Sequence, residues 1–167
     1  KVFKLEKYSL KVLDTYNPAP IQKITAMTHD AKYLYVAGEY VGNGAIRREL
    51  QTVLKADLSL VGRISAGITK TVRAVMTDGG DSVYVSLSGS ATRGTIQRYA
   101  KAKVSGGLTL EAERNIVAQG NAMFIEHEKG SSPVLWVATW AGYVVKLDIM
   151  TLLEIDIWAH HTGRGSL

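Results

Sequence analysis

The chain has 167 residues, 46% hydrophobic and 21% charged, and its mean hydropathy is near zero, a balance that belongs to soluble globular proteins. It contains no cysteine, which excludes disulfide staples, thiolate metal sites and thiol nucleophiles, and no window nears the ~18 uninterrupted apolar residues of a membrane span. The net charge of +5 is spread along the chain rather than gathered into a run, which mildly favours acidic partners and disfavours nucleic acid.

In chain order, Val2 to Tyr8 and Leu10 to Tyr16 are expected to form two strands, and Asn17-Pro-Ala-Pro20 links them to the next unit. From there the chain divides into units of four short strands separated by Gly, Pro and polar turns: 21–66, 67–118 and 119–161, with 162–167 as a connector-like tail. The helical period is weak throughout, and the best helical stretch, Ala45 to Lys55, is short and interrupted. The clearest unit is the last. Its strands are expected at Ala122 to Glu126, Val134 to Thr139, Tyr143 to Asp148 and Leu153 to Trp158, and the final one alternates apolar and acidic residues as a half-buried strand does.

Two internal repeats support the division. Tyr33-Leu-Tyr-Val-Ala37, Ser82-Val-Tyr-Val-Ser86 and Val134-Leu-Trp-Val-Ala138 each put an aromatic directly before Val. Lys4-Leu-Glu-Lys-Tyr-Ser-Leu10, Lys55-Ala-Asp-Leu-Ser-Leu60 and Lys146-Leu-Asp-Ile-Met-Thr-Leu152 share a basic residue, an acid and a hydroxyl before Leu. In this second element the carboxylate and hydroxyl accept turn N–H groups and the Leu opens the next strand. A degenerate copy starts at Arg98, with Ser105-Gly-Gly107 as its turn.

This pattern resembles the β-propeller superfamily, and within it the irregular YVTN-like and quinoprotein-like blades, through Tyr35-Val36, Tyr84-Val85 and the Lys146-Leu-Asp148 turn element. It is not typical WD40, since the closing Trp-Asp dipeptide and the Gly-His signature are missing. The resemblance implies an all-β array of four-stranded antiparallel blades, about three and a half in this chain, forming a single propeller segment over 1–167 with an outer half blade at 1–20. Propellers normally have about four to eight blades. The expectation is therefore a segment of a longer polypeptide, or two copies that complete one ring.

Propeller function usually sits on the face made by the loops between second and third strands and by the blade connectors. That resemblance places Arg47, Arg48, Lys70, Arg73 and Arg93 on one basic loop face, suited to a carboxylate, phosphate or anionic glycan through guanidinium contacts, or else solvated charges that keep edges apart. Trp140 and Tyr143 flank Gly142 as a stacking pair for a sugar or partner, or pack on each other across the hairpin; Trp136 and Trp158 read as core. Glu126-His127-Glu128 and His160-His161 put consecutive residues on opposite strand faces, so they make poor metal sites. Asp30 and Asp78-Gly-Gly-Asp81 read as turn carboxylates rather than calcium ligands.

The expected function is a non-enzymatic binding or structural module without cofactor, catalytic residues or metal. Its partners are a protein, the remainder of the propeller or a second copy of the chain, with an extracellular or particle-associated setting favoured. Two alternatives stay open: a lactonase-like or quinoprotein-like propeller enzyme with ligands on missing blades, and a phage or virus surface structural protein.

Overall fold

The computed structural model describes residues 1–65, 67–90, 92–102, 107–126 and 132–159, and within them every regular element is a strand. A two-stranded sheet pairs β1 (Val2–Leu5) with β2 (Val12–Tyr16). The first four-stranded sheet holds β3 (Lys23–His29), β4 (Tyr33–Gly42), β5 (Ala45–Leu54) and β6 (Leu60–Ile64). The second holds β7 (Val72–Thr77), β8 (Ser82–Ser90), β9 (Arg93–Lys101) and β10 (Leu108–Ile116). The third holds β11 (Gly120–Glu126), β12 (Val134–Thr139), β13 (Tyr143–Asp148) and β14 (Glu154–Ala159).

Each four-stranded sheet pairs its strands antiparallel in chain order, and the leading strands β3, β7 and β11 lie side by side. The sheets therefore stack face to face about an axis lined by those three strands. Their apolar positions alternate, so each sheet has two faces to cover. One buried cluster, with Tyr35, Leu50, Val72, Val85 and Tyr99, fills the space between the first and second sheets. Another, with Tyr84, Ile96, Leu135, Val145 and Leu152, fills the next. Ala45 to Lys55 is not helical: Asn43 and Gly44 take φ of 52° and 72°, and this tight turn sends the chain straight back as β5.

Register aligns the sheets residue by residue. Tyr35 faces Thr52, Tyr84 faces Arg98 and Trp136 faces Lys146, so these pairs are equivalent. The same register corrects one sequence alignment. Lys55 lies three residues beyond Thr52 and is the counterpart of Lys101 and Ile149, not of Lys146; its acid, Asp57, stands at the position of Thr151 in a turn of the same length. The match at the start of the chain does hold. Leu10 donates its N–H to the Glu6 carbonyl and Leu152 does the same to Asp148, both leucines at positive φ, so β1 and β2 are the counterparts of β13 and β14. The β1–β2 hairpin is thus an outer half sheet, separated from the first sheet by an apolar hollow of about 360 Å³ lined by Phe3, Leu5, Met27 and Leu34.

Neighbouring sheets touch through one repeated contact: the turn after the third strand of one sheet sits on the second-strand and third-strand side chains of the sheet before it. Lys4 Nζ donates to the Lys55 carbonyl at 3.1 Å. Tyr35 Oη donates to Asp30, which also binds Lys101 Nζ at 2.9 Å, the two charged side chains being 6% and 8% exposed. Tyr84 Oη donates to the Ile149 carbonyl at 3.1 Å, and Arg98 Nη1 reaches Met150 Sδ. Backbone also approaches closely at Gly94, where an added Cβ would meet the Ala118 carbonyl oxygen, so that a side chain there would run into backbone.

Burial alone would raise the Asp30 carboxyl pKa, but the N–H groups of Tyr33 and Lys32, the Lys101 ammonium and the Tyr35 hydroxyl outweigh it and pull the value to about 2. With the folded value below the unfolded one, the stabilisation is complete above the usual carboxylate range and is lost as pH falls toward 2. Urea unfolding should show about 2 kcal/mol of stability disappearing through this group between about pH 5 and pH 2. The Asp30→Asn variant should be less stable at neutral pH and should lose that part of the acid slope; an unchanged slope would contradict the assignment.

Candidate functional site

Because the strands alternate in direction, the β4–β5, β8–β9 and β12–β13 turns and the connectors before β7 and β11 all emerge at the same end of the sheets. The residues singled out from the sequence lie here, but fewer of them lie on loops than expected. Arg47 and Arg48 lie on a ribbon rather than on a loop: Arg47 faces Tyr40 and Arg48 faces Glu39 on paired strands. Arg73 is the second residue of β7 and Arg93 the first of β9, while Lys70 lies in the connector.

Two of the open cavities at this end take in residues singled out from the sequence. One, of about 710 Å³, is lined by Tyr40, Asn43, Ile46, Arg47, Arg48 and Thr69. The other, of about 530 Å³, is lined by Arg73, Gly89, Ser90, Gln119, Asn121 and Trp140. The structure thus brings Arg47 and Arg48 together at one cavity and Arg73 and Trp140 at the other. Lys70, Arg93 and Tyr143 line neither.

The two adjacent arginines have different jobs. Arg48 Nε binds Glu39 Oε1 at 3.1 Å and its Nη1 donates to the Thr69 carbonyl at 3.1 Å, so it pins the connector to the ribbon. The Thr71 hydroxyl donates to the same Glu39 oxygen, and this bond, with Arg48, holds the Glu39 carboxyl below its ordinary pKa against the opposing effect of burial. Arg47 is exposed and makes no ion pair among the described residues, and the same holds for Arg73. Trp140 is 68% exposed at the tip of its turn, whereas Tyr143 packs against the second core cluster. The two rings do not stack on each other, so their expected pairing is not formed.

Sequence reasoning missed the polar floor of these connectors. Gln51 and Gln97 occupy equivalent third-strand positions and are buried; Gln51 Nε2 donates to the Ala19 carbonyl and Gln97 Nε2 to the Gly67 carbonyl. Tyr16 and Tyr99 donate to the two glutamine side chains in turn. A lone amide in the short uncharged runs Leu50-Gln-Thr-Val53 and Gly94-Thr-Ile-Gln97 was the available signal. At the opposite end, Asp78 caps the turn N–H groups of Gly80 and Ser82, and Asp30 is spent on Lys101 and Tyr35, so these carboxylates serve turns and the sheet contact. His127, Glu128, His160, His161 and the tail lie outside the described residues, as do Ser105 and Gly106.

Stacked antiparallel four-stranded sheets around a common axis match a known architecture. The crystal structure of Sqt1 from Saccharomyces cerevisiae, a WD40 propeller protein, is similar at a TM-score of 0.55 and 10% identity over 82% of this chain. The fold is that of a partial β-propeller. At that identity the likeness concerns the fold alone, and the chain spans about half the length of Sqt1, matching 48% of it. No family model matches the chain, and no curated protein does.

The division of labour between the arginines is measurable. Arg48→Ala should lower stability by about 1–3 kcal/mol, because it removes the ion pair of the Glu39 carboxylate, leaving it only the Thr71 hydroxyl, and takes the guanidinium donor from the Thr69 carbonyl. Arg47→Ala should stay within about 0.5 kcal/mol of the parent. Chemical denaturation midpoints of the two variants provide the comparison.

Proposed function

We propose that this chain is a non-enzymatic binding module, one propeller segment of three blades and an outer half blade within a larger or self-assembled protein, and that its loop face takes an acidic protein partner or an anionic ligand such as a glycan. The observation that carries this reading is the pair of open cavities at one end of the blades, each with an exposed arginine, Arg47 or Arg73, that makes no ion pair among the described residues. A guanidinium in that state offers a planar fork of donors to a carboxylate, sulfate or phosphate. Trp140 adds an exposed ring beside Arg73, the combination that stacks a sugar while a charge holds its acidic substituent. Lys70 and Arg93 raise the positive potential of the rim, and Arg48 and Tyr143 shape it from behind. The affinity with YVTN-like and quinoprotein-like blades rests on Tyr35-Val36 and Tyr84-Val85, and an extracellular or particle-associated setting fits a face built for acidic glycans.

Titration with a sulfated oligosaccharide, followed through Trp140 fluorescence, tests the reading. Binding should weaken as salt rises, and Arg47→Ala or Arg73→Ala should each lower affinity about 5- to 10-fold, the size of one charge-assisted contact. Binding that ignores both variants would sink the loop-face assignment.

A further inference from the structure

The inner strand of each blade carries the same irregularity. In the ladders of β3 with β4, β7 with β8 and β11 with β12, one residue of the inner strand has no opposite number: Thr25, Arg73 and Asn121. Such an extra residue marks a β-bulge, which bends the strand and re-aims a side chain. β7 and β11 lie side by side, and their bulge residues Arg73 and Asn121 both line the 530 Å³ cavity beside Trp140. This cavity is built by the second and third sheets and the connector between them.

Gln119, in that connector, ties its walls together. The Gln119 N–H donates to the Ser90 carbonyl at 3.2 Å, and its carbonyl accepts from the Trp140 N–H at 2.9 Å. Its side-chain Oε1 accepts from the Gly89 N–H at 3.1 Å, and its Nε2 donates to Asn121 Oδ1 at 3.0 Å. A backbone N–H can only donate, so this chain of bonds fixes which way round both amides sit. The free end is the Asn121 Nδ2 group. Together with the Arg73 guanidinium and the Trp140 indole N–H it forms a set of donors with no acceptor among the described residues. The Ser90 hydroxyl is taken up by Thr92, and no carboxylate is among the described residues that line the cavity.

We infer that this cavity is a subsite for a hexuronate residue of an acidic glycan, with the carboxylate on Arg73 and Asn121 and the sugar ring on Trp140. The inference rests on the loop-face reading and narrows one of its two cavities to a single ligand class. A set made only of donors selects an oxyanion, and the planar guanidinium fork matches the two oxygens of a carboxylate. The exposed indole offers a flat apolar face to the ring. In a uronate the carboxyl group is carried directly on the ring, so the residue stacked on Trp140 also presents the charge. Gln119 is a positioning residue: it acts through Asn121, whose donors it keeps free for the ligand.

Calorimetric titration of the full chain tests this with three probes: a short oligouronate, its carboxyl-reduced neutral form, and a glutamate-rich peptide of equal charge. The oligouronate should bind about 10-fold or more tightly than either of the others, and Asn121→Asp should cost it about 10-fold in affinity. Gln119→Glu still accepts from the Gly89 N–H but can no longer donate, so the Asn121 amide turns round and offers its oxygen to the ligand. The preference for the oligouronate over its neutral form should then fall to near parity, whereas a merely structural loss would weaken both sugars alike. Asn121→Asp carries the same comparison if Gln119→Glu does not keep its β spectrum. Equal binding of the oligouronate and its reduced form, a peptide that binds as tightly, or an unchanged preference in the variant overturns the inference. If the sulfated oligosaccharide still binds through Arg47 or Arg73 in that case, the loop-face reading stands; if no anionic sugar binds, both fall.

Discussion

The structure depends on a polar group buried where one blade meets the next. Each blade offers an aromatic from its second strand, and the tip of that ring must find a partner when the following blade covers it. Tyr35 finds Asp30 and through it Lys101, and Tyr84 finds a backbone carbonyl. The apolar clusters supply the driving force for stacking, but they would tolerate a slip along the strands. The hydroxyl contacts would not, because a slip of one residue strands a buried donor and, between the first and second four-stranded blades, a buried ion pair.

The connectors obey the same constraint at the other end of the blades. A chain passing from the outer strand of one blade to the inner strand of the next exposes carbonyls where water is excluded. Gln51 and Gln97 supply the donors for Ala19 and Gly67. In the third blade the equivalent residue is Val145, and the connecting carbonyl, that of Gly120, is bound by Ser86 of the preceding blade instead. The exposed basic groups can thus project from a floor whose own polar groups are already satisfied.

Much of this is legible in the sequence. An aromatic before Val, bracketed by Gly and Asp turns, has one good solution as a half-buried strand, and it locates β4, β8 and β12. The Asp-to-Leu turn locates the half blade. The features that stay hidden do so for physical reasons. Arg47 and Arg48 resemble loop residues because charge usually marks the end of a strand, although a two-stranded ribbon can run past its sheet with both faces wet. Lys55 aligns three residues early because a similar Lys and Asp recur inside the turn, past the end of β5, whereas Lys146 and Asp148 belong to β13 itself. Trp158 resembles core and is 43% exposed, because periodicity tells which face of a strand a residue is on and not how deeply that face is covered. Arg48 cannot be told from Arg47, since only folding brings Glu39 and Thr69 to one of them.

The three second-to-third-strand ribbons start level and end unevenly. They begin at the equivalent pairs Tyr33 with Leu54, Ser82 with Ala100 and Val134 with Asp148, yet β4 runs for ten residues, β8 for nine and β12 for six. At about 3.3 Å per residue the rim descends by roughly 13 Å from the first blade to the third. Arg47 stands high on this slope and Trp140 at its foot. A flat ligand cannot meet both, so the terrain itself sorts binders by their depth.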